Sequence, residues 1–159
     1  MLLESVGEDL KTLRIVTKAY AGKEGELTSV LQYVYQSVVL GQRGERELSL
    51  LLLRIASDEM RHLQTVGSLI TRLGAPPIYT ACPPYPVGYN SASCVNYAKD
   101  TEEMLLTNIV SEENSIKTYA AMLEEMENPA AAAVILSVMR DEREHLTLLR
   151  HHRGAAFRA

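Results

Sequence analysis

Two short stretches of this chain nearly repeat each other: Asp58-Glu59-Met60-Arg61-His62-Leu63 and Asp141-Glu142-Arg143-Glu144-His145-Leu146. Each is a Glu-x-x-His pair set inside an apolar helical pattern. Each follows a lone upstream carboxylate, Glu26 or Glu112, and seven residues after each of those stands a tyrosine, Tyr33 or Tyr119. Carboxylates and imidazoles do not go into an apolar interior unless something compensates them. Four carboxylates and two histidines, supplied one helix at a time, form the ligand set of a dinuclear metal site in a four-helix bundle.

The periodicity agrees. From Glu45 to Leu73, Leu48, Leu52, Ile55, Glu59, His62, Val66 and Leu69 follow steps of three and four, so the polar pair shares the core stripe. A second such segment runs from about Thr101 to Glu127, with Leu105, Ile109, Glu112, Ile116, Tyr119, Leu123 and Met126 on one face. Asp100 and Glu103 form a capping box at its start. The last begins at Asn128-Pro129, a cap followed by proline at the first helical position, and carries Ile135, Val138, Glu142, His145 and Leu149. The first helix is less regular, because Gly22 and Gly25 interrupt it. Each interior glycine costs roughly 0.5–1 kcal/mol, yet a bundle centred on Glu26 needs helix on both sides, which favours one continuous, kinked helix, with a short helix preceding the true one as the alternative.

Turn positions set the heights. The midpoint between Glu26 and Glu59 falls in the Gly41–Gly44 turn signal, and that between Glu112 and Glu142 falls beside Asn128-Pro129. In an antiparallel hairpin, residues equidistant from the turn are level, so both hairpins place their glutamates roughly 22–25 Å from the turn. Residues 74–99 hold Pro76, Pro77, Pro83, Pro84 and Pro86 with Tyr79, Tyr85, Tyr89 and Tyr97, and proline excludes a regular helix there. A crossover along a bundle about 40 Å long explains such a connection. The expected fold is all-α, a single domain over 1–159, with two antiparallel hairpins joined by one long crossover.

Composition excludes several classes. A net charge of -4 offers no broad basic surface for nucleic acid, although basic residues gather between Arg150 and Arg158. No apolar run is long enough for a membrane helix. Glu4, Glu8 and Asp9 stand where a signal peptide carries positive charge, so a cytoplasmic location is expected. Phe157 and eight tyrosines are the aromatic residues, leaving leucine, valine, alanine and methionine to fill the core. Cys82 and Cys94 have no zinc-knuckle spacing and read as residues of a connecting segment, with a disulfide or redox pair as the alternative.

Oxygen and imidazole donors without thiolate suit iron, manganese or zinc. In the expected geometry His62 and His145 each ligate one ion, Glu59 and Glu142 bridge both, and Glu26 and Glu112 are terminal. Tyr33 and Tyr119 are candidates to hydrogen-bond the ligating carboxylates, with interior packing as the plain alternative. Asp58 and Asp141 either accept from the outer nitrogen of a histidine or are solvated flank charges. Glu113 and Glu144 face water, as do His151 and His152 near the last helical turn. Gln32 and Gln36 are polar on the first helix, with no facing readable from their spacing.

These six residues, with Tyr33 and Tyr119, give the chain its resemblance: it resembles the ferritin-like diiron-carboxylate proteins, nearest the rubrerythrin branch. Gly25-Glu26-Leu27-Thr28-Ser29-Val30-Leu31-Gln32-Tyr33 is also similar to the first bundle helix of manganese catalases. The resemblance implies two metal ions, iron or manganese, and a homodimer or larger homo-oligomer. It departs from full rubrerythrins in having no Cys-x-x-Cys pairs. Ile109 and Ser115 also stand where their additional cluster glutamate would be, three residues from Glu112. The implied activity is reduction or disproportionation of peroxide, or activation of dioxygen, with an external electron donor if iron is native. Iron oxidation and storage of the bacterioferritin type is the alternative, and a metal-braced, non-catalytic bundle the third.

Overall fold

The computed structural model describes residues 3–80 and 91–156. Expectations for Cys82, for Pro83, Pro84, Tyr85, Pro86 and Tyr89, and for Phe157 and Arg158 lie outside the described residues. Those described form five α-helices: α1 Leu10–Ala21, α2 Glu26–Gln42, α3 Arg46–Arg72, α4 Thr101–Glu125 and α5 Pro129–Ala156. Short 3-10 turns at Leu3–Ser5 and Ser91–Cys94 complete them. Helices α2 to α5 make the four-helix bundle, and no strand occurs among the described residues.

Local chemistry places the helix ends where the sequence puts them. Asp100 accepts a hydrogen bond from the Glu103 N–H at 2.9 Å, and Asn128 accepts from the Ala131 N–H at 3.0 Å, each satisfying a backbone donor that a helix start leaves unpaired. The α2–α3 hairpin is stitched by reciprocal bonds: the Ser37 hydroxyl donates to the Ser49 carbonyl at 2.9 Å, and the Ser49 hydroxyl to that of Ser37 at 2.8 Å. Thr101 donates to the Glu45 carboxylate at 2.8 Å, tying the start of α4 to the α2–α3 turn. That turn lies at the opposite end of α3 from Arg72. The last residue of α3 and the first of α4 therefore stand at opposite ends of α3, which is about 40 Å long for its 27 residues.

The first helix is not continuous, contrary to expectation. α1 ends at Ala21, Gly22 and Gly25 cap the two helices in extended conformations, and α2 begins at Glu26. Close backbone approach is the reason. A Cβ on Gly22 would sit 2.6 Å from the Lys18 carbonyl oxygen, and one on Gly25 would sit 2.8 Å from that of Ala19. The turn is closed by Gly25 N–H to the Gly22 carbonyl at 2.9 Å and by the Thr28 hydroxyl to the same carbonyl at 3.1 Å. α1 still follows α3: Tyr20 packs at Gly67, and the Asp9 N–H reaches the Leu73 carbonyl at 3.3 Å. There is helix on both sides of Glu26, but as two rods. The break also puts Glu26 in the first turn of α2, where the helix dipole favours a carboxylate.

The core falls into two apolar clusters. One joins α1 to the lower halves of α3 and α4 and the start of α5, through residues such as Val16, Leu69, Met122 and Ile135. The other lies toward the α2–α3 turn and holds Leu40, Leu52, Ile55, Leu105 and Leu149. Each fully buried leucine or isoleucine contributes roughly 1.5–3 kcal/mol. Between the two clusters lies a polar layer.

Candidate metal centre

That layer consists of Glu26, Glu59, His62, Glu112, Glu142 and His145, all buried. The structure brings together all six residues singled out by their spacing. Their donor atoms form two overlapping groups, Glu26–Glu59–His62–Glu142 and Glu59–Glu112–Glu142–His145, within each of which the atoms lie no more than 4.8 Å apart. Glu59 and Glu142 belong to both groups, and Glu26 and Glu112 to one each. That partition is the one expected of two bridging and two terminal carboxylates.

Helix geometry accounts for the convergence. Glu59 and His62 are separated by three residues on α3, as Glu142 and His145 are on α5, so each pair projects from one face. His62 Nδ1 lies 3.2 Å from Glu142 Oε1 and 3.7 Å from both Glu26 Oε2 and Glu59 Oε2. His145 Nδ1 lies 3.0 Å from Glu59 Oε1, 3.4 Å from Glu142 Oε2 and 3.9 Å from Glu112 Oε2. The two rings are 5.7 Å apart.

Three of these atoms, Glu59 Oε1, His62 Nδ1 and His145 Nδ1, are buried without a hydrogen bond. An unpaired buried polar atom costs about 1–3 kcal/mol, and three within one layer mark a place built for another partner. Oxygen and imidazole donors around such a gap fit divalent iron or manganese.

The outer nitrogens are held across the bundle. His62 Nε2 is 3.1 Å from Asp141 Oδ2, and His145 Nε2 is 3.4 Å from Asp58 Oδ2. Each aspartate thus serves the histidine of the other hairpin, which leaves the inner Nδ1 of each ring turned toward the carboxylates. Asp58 also pairs with Arg61. The tyrosines cross as well: Tyr33 donates to Glu112, and Tyr119 to Glu26.

Burial alone would drive both imidazoles toward neutrality. The adjacent Glu142 and Glu59 overcome it, raising His62 to about 11 and His145 to about 10. Burial likewise pushes Glu142 up, but His145 and His62 beside it hold it well below the usual carboxylate range. Glu26 and Glu112 are raised well above that range, first by burial and then by the charges of Glu59 and Glu142. Tyr33 is raised by burial and by Glu112. Protons on the two imidazoles offset part of the negative charge of the layer, since four bare buried carboxylates would cost several kcal/mol per ion.

Spacing alone did not find a third layer of polar contacts. The Asn96 N–H donates to Gln32 Oε1 at 3.0 Å, Gln32 Nε2 to Asn108 Oδ1 at 2.9 Å, and Asn108 Nδ2 to Gln36 Oε1 at 2.6 Å. A backbone N–H can only donate, so it fixes the direction of every amide in the row. Gln36 Nε2 ends the row, buried and unpaired. A signal existed: Asn108 interrupts the inward stripe four residues before Glu112. Elsewhere expectations divide. Glu144 is exposed, Glu113 is part-exposed and pairs with Arg150 at 2.6 Å, His151 is exposed and His152 half-buried.

Comparison with known proteins agrees with the geometry. A family described as manganese containing catalase matches residues 9–78. In structure, the manganese catalase KatB of Anabaena superposes with a TM-score of 0.79 at 21% identity, over 95% of this chain and 74% of that one. The bacterioferritin of Desulfovibrio desulfuricans, described with a diiron site, gives 0.76 at 22% over 91% and 78%. A dodecameric thioferritin of Bacteroides fragilis gives 0.71 at 17% over 99% and 96%. No curated protein matches the chain in sequence. At these identities the likeness establishes the fold, and the cluster supplies the rest: this is a ferritin-like bundle with dinuclear-carboxylate architecture. The likenesses are to manganese catalases and bacterioferritins and do not single out the rubrerythrin branch. No helix among the described residues is long and apolar enough to cross a membrane.

Proposed function

We propose that Glu26, Glu59, His62, Glu112, Glu142 and His145 hold two ions of iron or manganese, and that the protein is a cytoplasmic oxidoreductase acting on peroxide or dioxygen. The observation that carries this reading is the pair of buried, unbonded imidazole nitrogens, each facing three carboxylates. When bound, the ions would supply two-electron redox chemistry. The chain's own groups do the remainder. Asp141 and Asp58 hold the imidazoles in one orientation, and Tyr33 and Tyr119 hold Glu112 and Glu26. The two apolar clusters keep bulk water from the layer.

With manganese, one peroxide is reduced to water while another is oxidised to dioxygen, and no outside reductant is consumed. With iron, turnover draws on an external electron donor. The assembly belonging to this reading is a homodimer or larger. The exposed Leu31, Val34, Val38, Leu50 and Leu53 on the outer face of the first hairpin support it.

The test is metal analysis of protein from its native host together with a peroxide-consumption assay. Two iron or manganese ions per chain with turnover is the expected result. Alanine at Glu59 or Glu142 should sharply lower occupancy, and unchanged metal content in both variants would overturn the ligand assignment. The bacterioferritin likeness favours a second reading, iron oxidation and storage, which needs a closed shell. A cage-sized particle by light scattering would select it. Tightly held metal with no oxygen or peroxide chemistry would instead leave a metal-braced bundle.

A further inference from the structure

Between α1 and the start of the crossover lies a pocket of about 340 Å³, and none of its lining residues belongs to the carboxylate layer. Leu10, Leu13, Arg14 and Thr17 line it from α1, with Pro76 and Ile78 among the residues facing them. We propose that this pocket binds small amphipathic carboxylates, with an aliphatic chain lying along α1 and the carboxylate on Arg14. The proposal stands whether or not the carboxylate layer holds metal.

The backbone builds the pocket. α1 runs antiparallel to α3, since the Asp9 N–H reaches the Leu73 carbonyl and Tyr20 packs at Gly67. Gly74, at a φ of 101°, reverses the chain. Residues 75–79 then return along α1 until Tyr79 stacks on Tyr20, with ring centroids 5.4 Å apart. The returning wall is held by its own hydrogen bonds, from the Ala75 N–H to the Ile70 carbonyl at 3.2 Å and from the Ile78 N–H to the Pro76 carbonyl at 2.9 Å. Leu10 and Thr17 mark the two ends, seven residues or about 10 Å apart along the helix. Both walls are thus fixed without a ligand, and the volume falls in the range of small-molecule sites, roughly 300–1,000 Å³.

Chemistry selects the occupant. The wall is mainly apolar, and its rim leaves Leu10 70% and Ile78 47% exposed. Arg14 is the one charged residue lining it. Its guanidinium has no ion pair or hydrogen bond among the described residues, whereas Lys11, one turn earlier, is paired with Glu127 at 2.6 Å. An apolar trough with an unpaired guanidinium complements a hydrocarbon chain ending in a carboxylate, which such a fork binds through two parallel hydrogen bonds. Glu8 lies against Gly74, at the Leu10 end, so an anionic head is repelled there and the tail is directed there instead. A fully polar anion finds much less. No second cation lines the pocket, and the Thr17 hydroxyl is spent on the Arg14 carbonyl at 3.3 Å.

The experiment is calorimetric titration of the full chain with sodium octanoate, sodium hexanoate, 1-octanol and inorganic phosphate, repeated on R14Q and I78D. Arg14 and Ile78 are both exposed, so neither substitution touches the core, and circular dichroism verifies the helices. Octanoate should bind one per chain with a Kd of about 5 mM or below. Hexanoate, two methylenes shorter, should bind roughly tenfold more weakly. R14Q should weaken octanoate about fivefold or more and leave octanol unchanged, while I78D should weaken both. No saturable octanoate binding, equal octanoate affinity in wild type and R14Q, or phosphate binding as tight as octanoate would each overturn the proposal.

Discussion

Tyr119, on the second hairpin, donates its hydroxyl to Glu26 on the first, and Tyr33 returns the contact to Glu112. The exchange is possible because α2 and α4 run antiparallel. Their partners descend in one helix as they ascend in the other, from Glu26 with Tyr119 to Gln32 with Asn108. Each tyrosine therefore locks a carboxylate that its own hairpin positions only from the backbone.

Phenylalanine at either tyrosine leaves a buried carboxyl oxygen without its donor. Each of Y33F and Y119F should lower the stability of the metal-free protein by about 1–3 kcal/mol, read by thermal or urea unfolding. The folds should be retained, since the rings remain to pack. A loss below about 0.5 kcal/mol in both would show that the hydroxyls hold nothing.

Alanine at the terminal and bridging carboxylates should give different stoichiometries. E112A removes a donor from one quartet only and should retain about one ion per chain, whereas E59A, which belongs to both, should lose most of both. Equal losses measured by elemental analysis would contradict the partition.

Stability and metal binding should respond to pH in opposite directions. The imidazoles are raised above 6.5 in the folded chain, to about 11 and about 10. The stability they contribute is therefore complete below pH 6.5 and drains away toward those values. Glu26 and Glu112 are raised above 4.5, so deprotonation in the unfolded chain erodes stability as pH climbs past that point. Glu142 is depressed, so its contribution is present above pH 4.5 and lost in stronger acid. Metal-free protein should accordingly be most stable near pH 4.5, lose stability slowly above it and melt progressively lower toward pH 9 as the imidazole contribution also drains away. Metal binding should release protons at neutral pH, those of the His62 and His145 imidazoles among them, and tighten as pH rises. Calorimetry in buffers of different ionisation enthalpy counts them, and zero release would refute the protonated layer.

G25A should be costly, at about 2 kcal/mol or more, because its Cβ would meet the Ala19 carbonyl oxygen and the Gly22 nitrogen at 2.8 Å. G7A, where nothing lies within 4 Å, should change stability by less than about 0.5 kcal/mol. Chemical denaturation of the two variants makes the comparison.

The bundle and its polar layer were legible because stripe and chemistry coincide. Glu59, His62, Glu142 and His145 occupy core positions, and only a convergent site reconciles charge with that placement. The caps Asp100 and Asn128 were legible for a local reason, since a side chain that bonds its own helix start needs no tertiary partner. The break at Gly22 and Gly25 was not, because a kinked helix and a turn share the same glycines; the approach of the Lys18 and Ala19 carbonyls decides between them. Which carboxylate Tyr33 reaches, which histidine Asp58 serves, and the partners of Asn108 were hidden, since they sit on the other hairpin, and register between hairpins is set by packing rather than by spacing.

The division of the apolar interior into two clusters has a consequence for how the molecule loosens. Leucine and isoleucine cohere above and below, while the waist between them is held by groups that repel one another unless cations or protons intervene. Stripped of ions at alkaline pH, the rods should come apart first at mid-length rather than fray from their tips, so amide exchange would be fastest around Glu59 and Glu142 even though both are deeply enclosed.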